Sequence, residues 1–182
     1  MYDPNELSLT EWTSLIEDAN KLGIQEWHLC GGGEPLLFRE KAMGVMLKIK
    51  RAGRKGEIIT NGILFDEGLV QSLVKSEWDK VTFSIDAPDA ETYHRIRGAD
   101  HFSTVVRNLR LFMKYKVLYR KKKPRIGIHF VVCSLNYDKI SSMISFCAKE
   151  GVSDFLINAL NLWSPDIMKY ALSKDQTKLL KL

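Results

Sequence analysis

Five short runs rich in β-forming residues, separated by stretches of helical period, constrain this chain more than any other feature. Residues 24–30, 57–60, 80–86, 126–132 and 154–160 read as strands, the fourth through alternation of Ile126, Ile128, Phe130 and Val132 with smaller or polar neighbours. Ahead of them, Ser8-Leu-Thr-Glu11 has the form of a capping box, and Leu9, Trp12, Leu15, Ile16, Ala19 and Leu22 recur at helical spacing up to Gly23. A second helix carries Ala42, Val45, Met46, Ile49 and Ala52, and Asp66 opens a third with Leu69, Val70, Leu73 and Val74 on one face. Residues 89–97 form a short helix, and Ser103 is expected to cap a longer one through Val105, Leu109, Phe112 and Met113. Residues 137–149 are helical again, with Ile140, Met143, Ile144 and Cys147 inward, and Ser164-Pro165 begins another helix. Strands that alternate with helices pair in parallel through right-handed crossovers, so the chain is one α/β domain.

In such sheets ligands bind beyond the carboxyl ends of the strands. Those ends read Gly31-Gly32-Gly33-Glu34, Thr60-Asn61, Ser84 with Asp86, Cys133-Ser134-Leu135-Asn136, and Asn158. Three consecutive glycines free the backbone and let another group approach it closely, and Pro35 stiffens the exit. Small and hydrogen-bonding residues gathered where buried strands would be apolar point to a polar small-molecule site. Each position also has a purely structural reading. Thr60-Asn61 can make a turn, Asp86 can cap the helix at Asp89, and the glycines can form a strand-to-helix turn. His28 and His129 read as satisfied residues inside a barrel, His94 and His101 as surface residues, and Arg97 as part of a solvated helix face, with reach to an anionic substrate group as the alternative.

Composition narrows the setting. The 182 residues carry a net charge of +5, with 45% hydrophobic and 27% charged residues, as an ordinary globular domain does. No apolar run approaches the roughly 20 residues of a membrane span, and the first residues lack the pattern of a signal peptide. Three cysteines, Cys30, Cys133 and Cys147, argue against a disulfide framework, and the expected location is the cytoplasm. The positive surplus gathers in Arg120-Lys-Lys-Lys-Pro-Arg125, read as a loop between a helix and the next strand. The run could attract phosphate backbones, but without aromatic interleaving or a recognised binding motif the solvated loop is the preferred reading.

In order and spacing, these residues resemble the radical S-adenosylmethionine (radical SAM) superfamily from about Leu7 to Leu160, in the branch that modifies peptides and makes cofactors. Gly32-Gly33-Glu34-Pro35 resembles its methionine-binding motif, Thr60-Asn61-Gly62 the end of its third strand, and residues 84–98 its fourth strand and the helix after it. The resemblance implies a partial TIM-type (β/α)6 barrel of parallel strands, with five present and the first missing. It implies that Gly31, Gly32, Gly33 and Glu34 meet the amino group of S-adenosylmethionine. Thr60, Asn61, Ser84, Asp86 and Asn136 would lie near its carboxylate and ribose, and the adenine against Val132 and residues 157–159. Substrates would be a peptide or a small cofactor precursor, and the parent enzyme would draw on an electron donor such as a flavodoxin or ferredoxin.

One departure matters. Family members hold a [4Fe–4S] cluster in a C-x3-C-x2-C loop, and the reduced cluster cleaves S-adenosylmethionine to a 5′-deoxyadenosyl radical that abstracts hydrogen from substrate. Cys30, Cys133 and Cys147 have the wrong spacing for that loop. The expectation is a fragment, with residues 1–172 a partial barrel, residues 173–182 the start of a truncated extension, no catalytic or metal-binding residue in the chain, and no activity alone. The strand at 24–30 would then be an unpaired apolar edge. A non-catalytic S-adenosylmethionine-binding module is one alternative. An unrelated phosphate-binding (β/α) enzyme is the other, although Glu34 would repel a phosphate and no lysine follows the glycines.

Overall fold

A computed structural model describes residues 6–31, 33–162 and 164–179. Five parallel strands form one sheet in chain order: β1 (Glu26–Leu29), β2 (Lys55–Thr60), β3 (Lys80–Ser84), β4 (Arg125–Val132) and β5 (Asp154–Ala159). Helices occupy the connections: α1 (Leu9–Lys21) before β1, α2 (Arg39–Arg51), α3 (Glu67–Lys75), α4 (Ala90–Arg97), α5 (Phe102–Leu118) and α6 (Ile140–Glu150), with α7 (Pro165–Met168) and α8 (Lys174–Leu179) after β5. The architecture is the expected partial TIM-type barrel.

Register decides which side chains enter the core. One set of alternate residues, Leu29, Ile58, Val81, Phe83, Ile126, Ile128, Phe130 and Val132, packs into a single cluster with the helices. Its centre is a triad of rings, Phe65, Phe83 and Phe112, with centroids 5.0–6.0 Å apart. Trp78, wholly buried, lies against the bare Gly56 and donates its indole N–H to the Lys80 carbonyl at 2.9 Å. The other set, including His28, Glu57, Thr82, Ser84, His129 and Asn158, belongs to the face turned away from this core.

Several local expectations shift. The capping box of α1 forms, with the Ser8 N–H on Glu11 and the Glu11 N–H on Ser8 Oγ, but only Ile16 of α1 is fully buried and Leu15 and Leu22 are exposed. The helix lies beside α2 at the sheet's β1 edge, where it has one side to cover; Leu9 fills the space above Gly44. Helix α5 begins at Phe102 after His101, so Ser103 is already helical and does not cap it. On α6 the inward stripe is Met143, Cys147 and Glu150, with Arg110 gripping the Glu150 carboxylate at 2.6 and 2.7 Å; Ile144, expected inside, is exposed. The edge strand β1 is less apolar than expected, because Glu26 and His28 are exposed and pair with Lys55 and Glu57. In the basic run, Lys121 pairs with Glu77, Lys123 with Asp79 and Arg125 with Asp154, so most of its charge is locally balanced. No helix among the described residues is long and apolar enough to cross a membrane.

Candidate functional site

The carboxyl ends of β1 to β4 are tied together by side chains. Glu34 stands just before the 3-10 turn Pro35–Phe38 and caps it, with Oε1 accepting from the Leu36 N–H at 3.2 Å. The same oxygen accepts from the Thr60 hydroxyl at 2.6 Å, and Oε2 accepts from the Asn61 N–H at 2.7 Å. Charged acceptors make the stronger hydrogen bonds, so this carboxylate clamps the end of β2 to the segment leaving β1. Thr60, 2% exposed, accepts the Gly62 N–H in turn, and Asn61 Oδ1 accepts from Ile63. The turn is also held from behind by Asn108 of α5, fully buried, whose amide donates to the carbonyls of Gly62 and Ile63.

A second knot joins β3 to β4. Asp86 Oδ1 accepts from the Val131 N–H at 2.8 Å and Oδ2 pairs with Arg97 at 2.5 Å. The fully buried Asn136 accepts from the Cys133 N–H and donates to the carbonyls of Asp86 and Val131, each at 2.8–2.9 Å. Asp86 does not cap α4; Asp89 does so itself, accepting from the Thr92 N–H. Arg97 is not a free solvated side chain either, since it grips Asp86 and the Ser84 carbonyl.

Those engagements sort the expected residues. Glu34, Thr60, Asp86 and Asn136 shape the strand ends, and both amide hydrogens of Asn136 and the hydroxyl hydrogen of Thr60 are donated within the protein. Both Gly31 and Gly33 are exposed, and the Gly33 N–H donates to the Gly31 carbonyl at 2.7 Å, which leaves that carbonyl one lone pair for a ligand; the Ser84 hydroxyl makes no hydrogen bond among the described residues. A Cβ added at Gly31 or Gly33 would meet nothing within 4 Å, so the glycine edge borders free space; Gly31 also has φ +149°. Gly32 lies outside the described residues. Of the expected adenine wall, Val132 is buried in the core, whereas Ile157, Asn158 and Ala159 are exposed on β5.

The face turned away from the core carries two further polar groups. Glu57 accepts from Thr82 at 2.5 Å, His28 at 2.9 Å and Lys80 at 3.0 Å. Burial pushes its carboxyl up, but these partners outweigh burial and hold it below the usual range. His129 meets Asn158 at 2.9 Å, one strand across from Ser84 in register. Both histidines are satisfied barrel residues, as their positions in the strands imply.

A family model, Radical SAM superfamily, matches residues 1–147. The chain belongs to the radical SAM superfamily. It is 31% identical over 147 residues to a probable GTP 3′,8-cyclase of Thermococcus kodakarensis, covering 81% of this chain and 45% of that protein. It is 31% identical over 93 residues to a PqqA peptide cyclase of Granulibacter bethesdensis, covering 51% of this chain and 24% of that protein. Among solved structures, Streptococcus suis SuiB bound to S-adenosylmethionine superposes with a TM-score of 0.80 at 17% identity, over all of this chain and 41% of SuiB. The anSMEcpe protein with bound AdoMet gives 0.75 at 22% identity, over all of this chain and 51% of that one. The chain thus spans less than half the length of the curated relatives it matches.

A radical SAM protein uses S-adenosylmethionine and a [4Fe–4S] cluster, and the two fit these residues differently. The free glycine edge and the Ser84 hydroxyl suit an ammonium group and a carboxylate or ribose oxygen. The cysteines do not suit a cluster. Cys30 is exposed after β1, Cys133 is buried after β4, and Cys147 is buried on α6. Burial raises both buried thiols, Cys147 to about 11, which opposes the thiolate form that iron needs. Among the described residues no three His, Cys, Asp or Glu side chains gather to hold a metal.

Sequence reasoning missed Asn108, and it singled out Arg97 without its partners. Asn108 had a signal, a polar residue on the stripe of Val105, Leu109 and Phe112. Those partners had none, because they lie 11 and 13 residues away across a helix and a loop.

Proposed function

We propose that this chain binds S-adenosylmethionine across the carboxyl ends of β1 to β4, as the cofactor-holding part of an enzyme that acts on a peptide or a cofactor precursor. Gly31 to Gly33 would receive the amino group, and Ser84 the carboxylate or ribose. Glu34, Thr60 and Asn61 would hold that cradle in shape, with Asp86 and Asn136 doing the same beside Ser84. One observation supports the reading: a carboxylate clamp fixes the strand ends beside an exposed glycine edge that no side chain of the protein covers. Bound S-adenosylmethionine supplies radical chemistry in this superfamily once a reduced cluster is present. For the substrate, support comes from relatives named as peptide and nucleotide cyclases.

Calorimetry of the chain with S-adenosylmethionine and S-adenosylhomocysteine tests this. Stoichiometric binding, weakened about tenfold by Ser84→Ala, is expected, since a hydrogen bond at the lower end of the range for a charged partner is worth about 1.5 kcal/mol. An absence of binding, or equal binding of inorganic phosphate, overturns it. The scattered cysteines also give a second reading, a binding module without turnover; binding to the complete parent protein with no cleavage under reducing conditions would favour that reading.

A further inference from the structure

The hydrogen-bond ladder between β3 and β4 stops before β4 does. The Ile85 N–H donates to the His129 carbonyl at 3.1 Å. A parallel ladder continued one step would send the Val131 N–H to the Ile85 carbonyl and bring the Ala87 N–H to the Val131 carbonyl. Side chains take both places. The Val131 N–H goes to Asp86 Oδ1, and the Val131 carbonyl accepts from Asn136 Nδ2. Both are buried, Asp86 to 6% exposure and Asn136 to 0%. Relieved of its ladder partners, β3 ends at Ser84, while β4 runs on to Val132 beside β5.

We infer that Asp86, Arg97 and Asn136 form one positioning unit that ends this ladder early and holds the main chain that carries Ser84 in place before any ligand arrives. Asp86 is held at three points: its side chain by Val131 and Arg97, and its carbonyl by Asn136 at 2.9 Å. One nitrogen of Arg97 reaches both Asp86 and, at 3.2 Å, the Ser84 carbonyl. The backbone on either side of Ile85 is thereby pinned, so Ser84 meets a ligand without having to be ordered at that moment. Arg97 acts through Ser84 and is not itself assigned to the ligand. The identity of the ligand rests on the S-adenosylmethionine reading; the existence of the unit does not.

Two measurements on the full chain decide the matter. The first is a double-mutant cycle with S-adenosylhomocysteine as probe. Arg97→Gln and Ser84→Ala should each weaken binding about tenfold, and Arg97→Gln should cost less than about twofold more once Ser84 is alanine. Independent, multiplying losses, or no loss in Arg97→Gln, would show that Arg97 does not work through Ser84. Arg97→Lys should lose less than Arg97→Gln, since it keeps the positive charge facing Asp86, but not the whole affinity, since its flexible ammonium is less rigidly placed. The second is amide exchange on the ligand-free chain. Asp86→Ala should speed exchange at Val131 and leave Phe130 protected, whereas Asp86→Asn, which keeps an acceptor oxygen, should preserve protection at Val131. Equal protection of Val131 in wild type and Asp86→Ala overturns the ladder substitution, whatever the ligand proves to be. If the wild-type chain ignores S-adenosylhomocysteine, the proposed ligand fails and the exchange result still judges the unit.

Discussion

Replacing Glu34 by glutamine should cost stability as well as affinity, although the two side chains have nearly the same shape. The carboxylate accepts three hydrogen bonds, from Thr60 and Leu36 on one oxygen and from Asn61 on the other. An amide offers one oxygen and one NH2 group. With the oxygen towards Thr60, the NH2 faces the Asn61 N–H; reversed, it faces the Leu36 N–H and the Thr60 hydroxyl, whose lone pair already serves Gly62. Either way a donor is left facing a donor, at roughly 1–3 kcal/mol for a buried group. Thr60 is sealed from water, at 2% exposure, whereas Glu34 and Asn61 are partly exposed and can recruit it, which places the cost near 2 kcal/mol. For a chain of this size that lowers the melting temperature by about 4–8 °C. Thermal melting of Glu34→Gln beside the surface control Glu17→Gln reads it directly. A Glu34→Gln melt within about 1 °C of wild type would show that the carboxylate is not a brace and would refute the reasoning.

Other outcomes follow from single features. Asn108→Leu removes both donors to the turn after β2 and strands the Gly62 and Ile63 carbonyls in the core, so denaturant unfolding should show a loss of roughly 1–3 kcal/mol. Gly56→Ala would place a Cβ 2.0 Å from the Trp78 ring, and Trp78 has no room to retreat; a chain destabilised by at least about 1–3 kcal/mol, with altered tryptophan emission, is expected. Glu57 titrates below its ordinary range in the folded chain, so its contribution is complete above the unfolded value near pH 4.3 and is lost as pH falls through the lower folded value; melting curves between about pH 6 and 3 should flatten in Glu57→Gln. Reconstituted anaerobically with iron and sulfide, the chain should show no broad visible absorbance, and a stoichiometric cluster would refute the placement of the cysteines argued above.

The succession of strands and the parallel sheet were legible because runs of β-forming residues, the fourth with a clear period of two, alternate with stretches of helical period and end in turn signals. The rule that such sheets bind ligands at their carboxyl ends then directed attention to Gly31–Glu34, Thr60, Ser84 and Asp86. What each residue does there was not legible. Thr60 and Asn136 are polar residues at strand ends in the sequence, but whether a hydroxyl or amide meets a ligand or a neighbouring strand depends on atoms 3 to 50 residues away. Local reasoning failed in the same way for Arg97 and for the N-terminus of α5. Capping by Ser103 was plausible from composition, but the helix starts two residues earlier, with His101 at the cap and Phe102 packed against Tyr93 and Phe146. Strand β3 reads as seven residues and is five, because Asp86 supplies from its side chain what the backbone would otherwise supply.

The division of the sheet into two sets of alternate residues has a consequence for altering what this protein accepts. Ile59, Val131, Leu156 and Asn158 sit on the face turned from the helices and lie outside the core cluster, whereas their immediate neighbours Ile58, Phe130 and Val132 are enclosed within it. A combinatorial library confined to the first group would diversify the lining of the half-barrel at little cost in folding yield. The same number of substitutions one residue along would be lost to misfolded chains. Saturation mutagenesis scored only for soluble expression would therefore show tolerance rising and falling every second residue along β2 and β4, a record of the pleat written in survival counts.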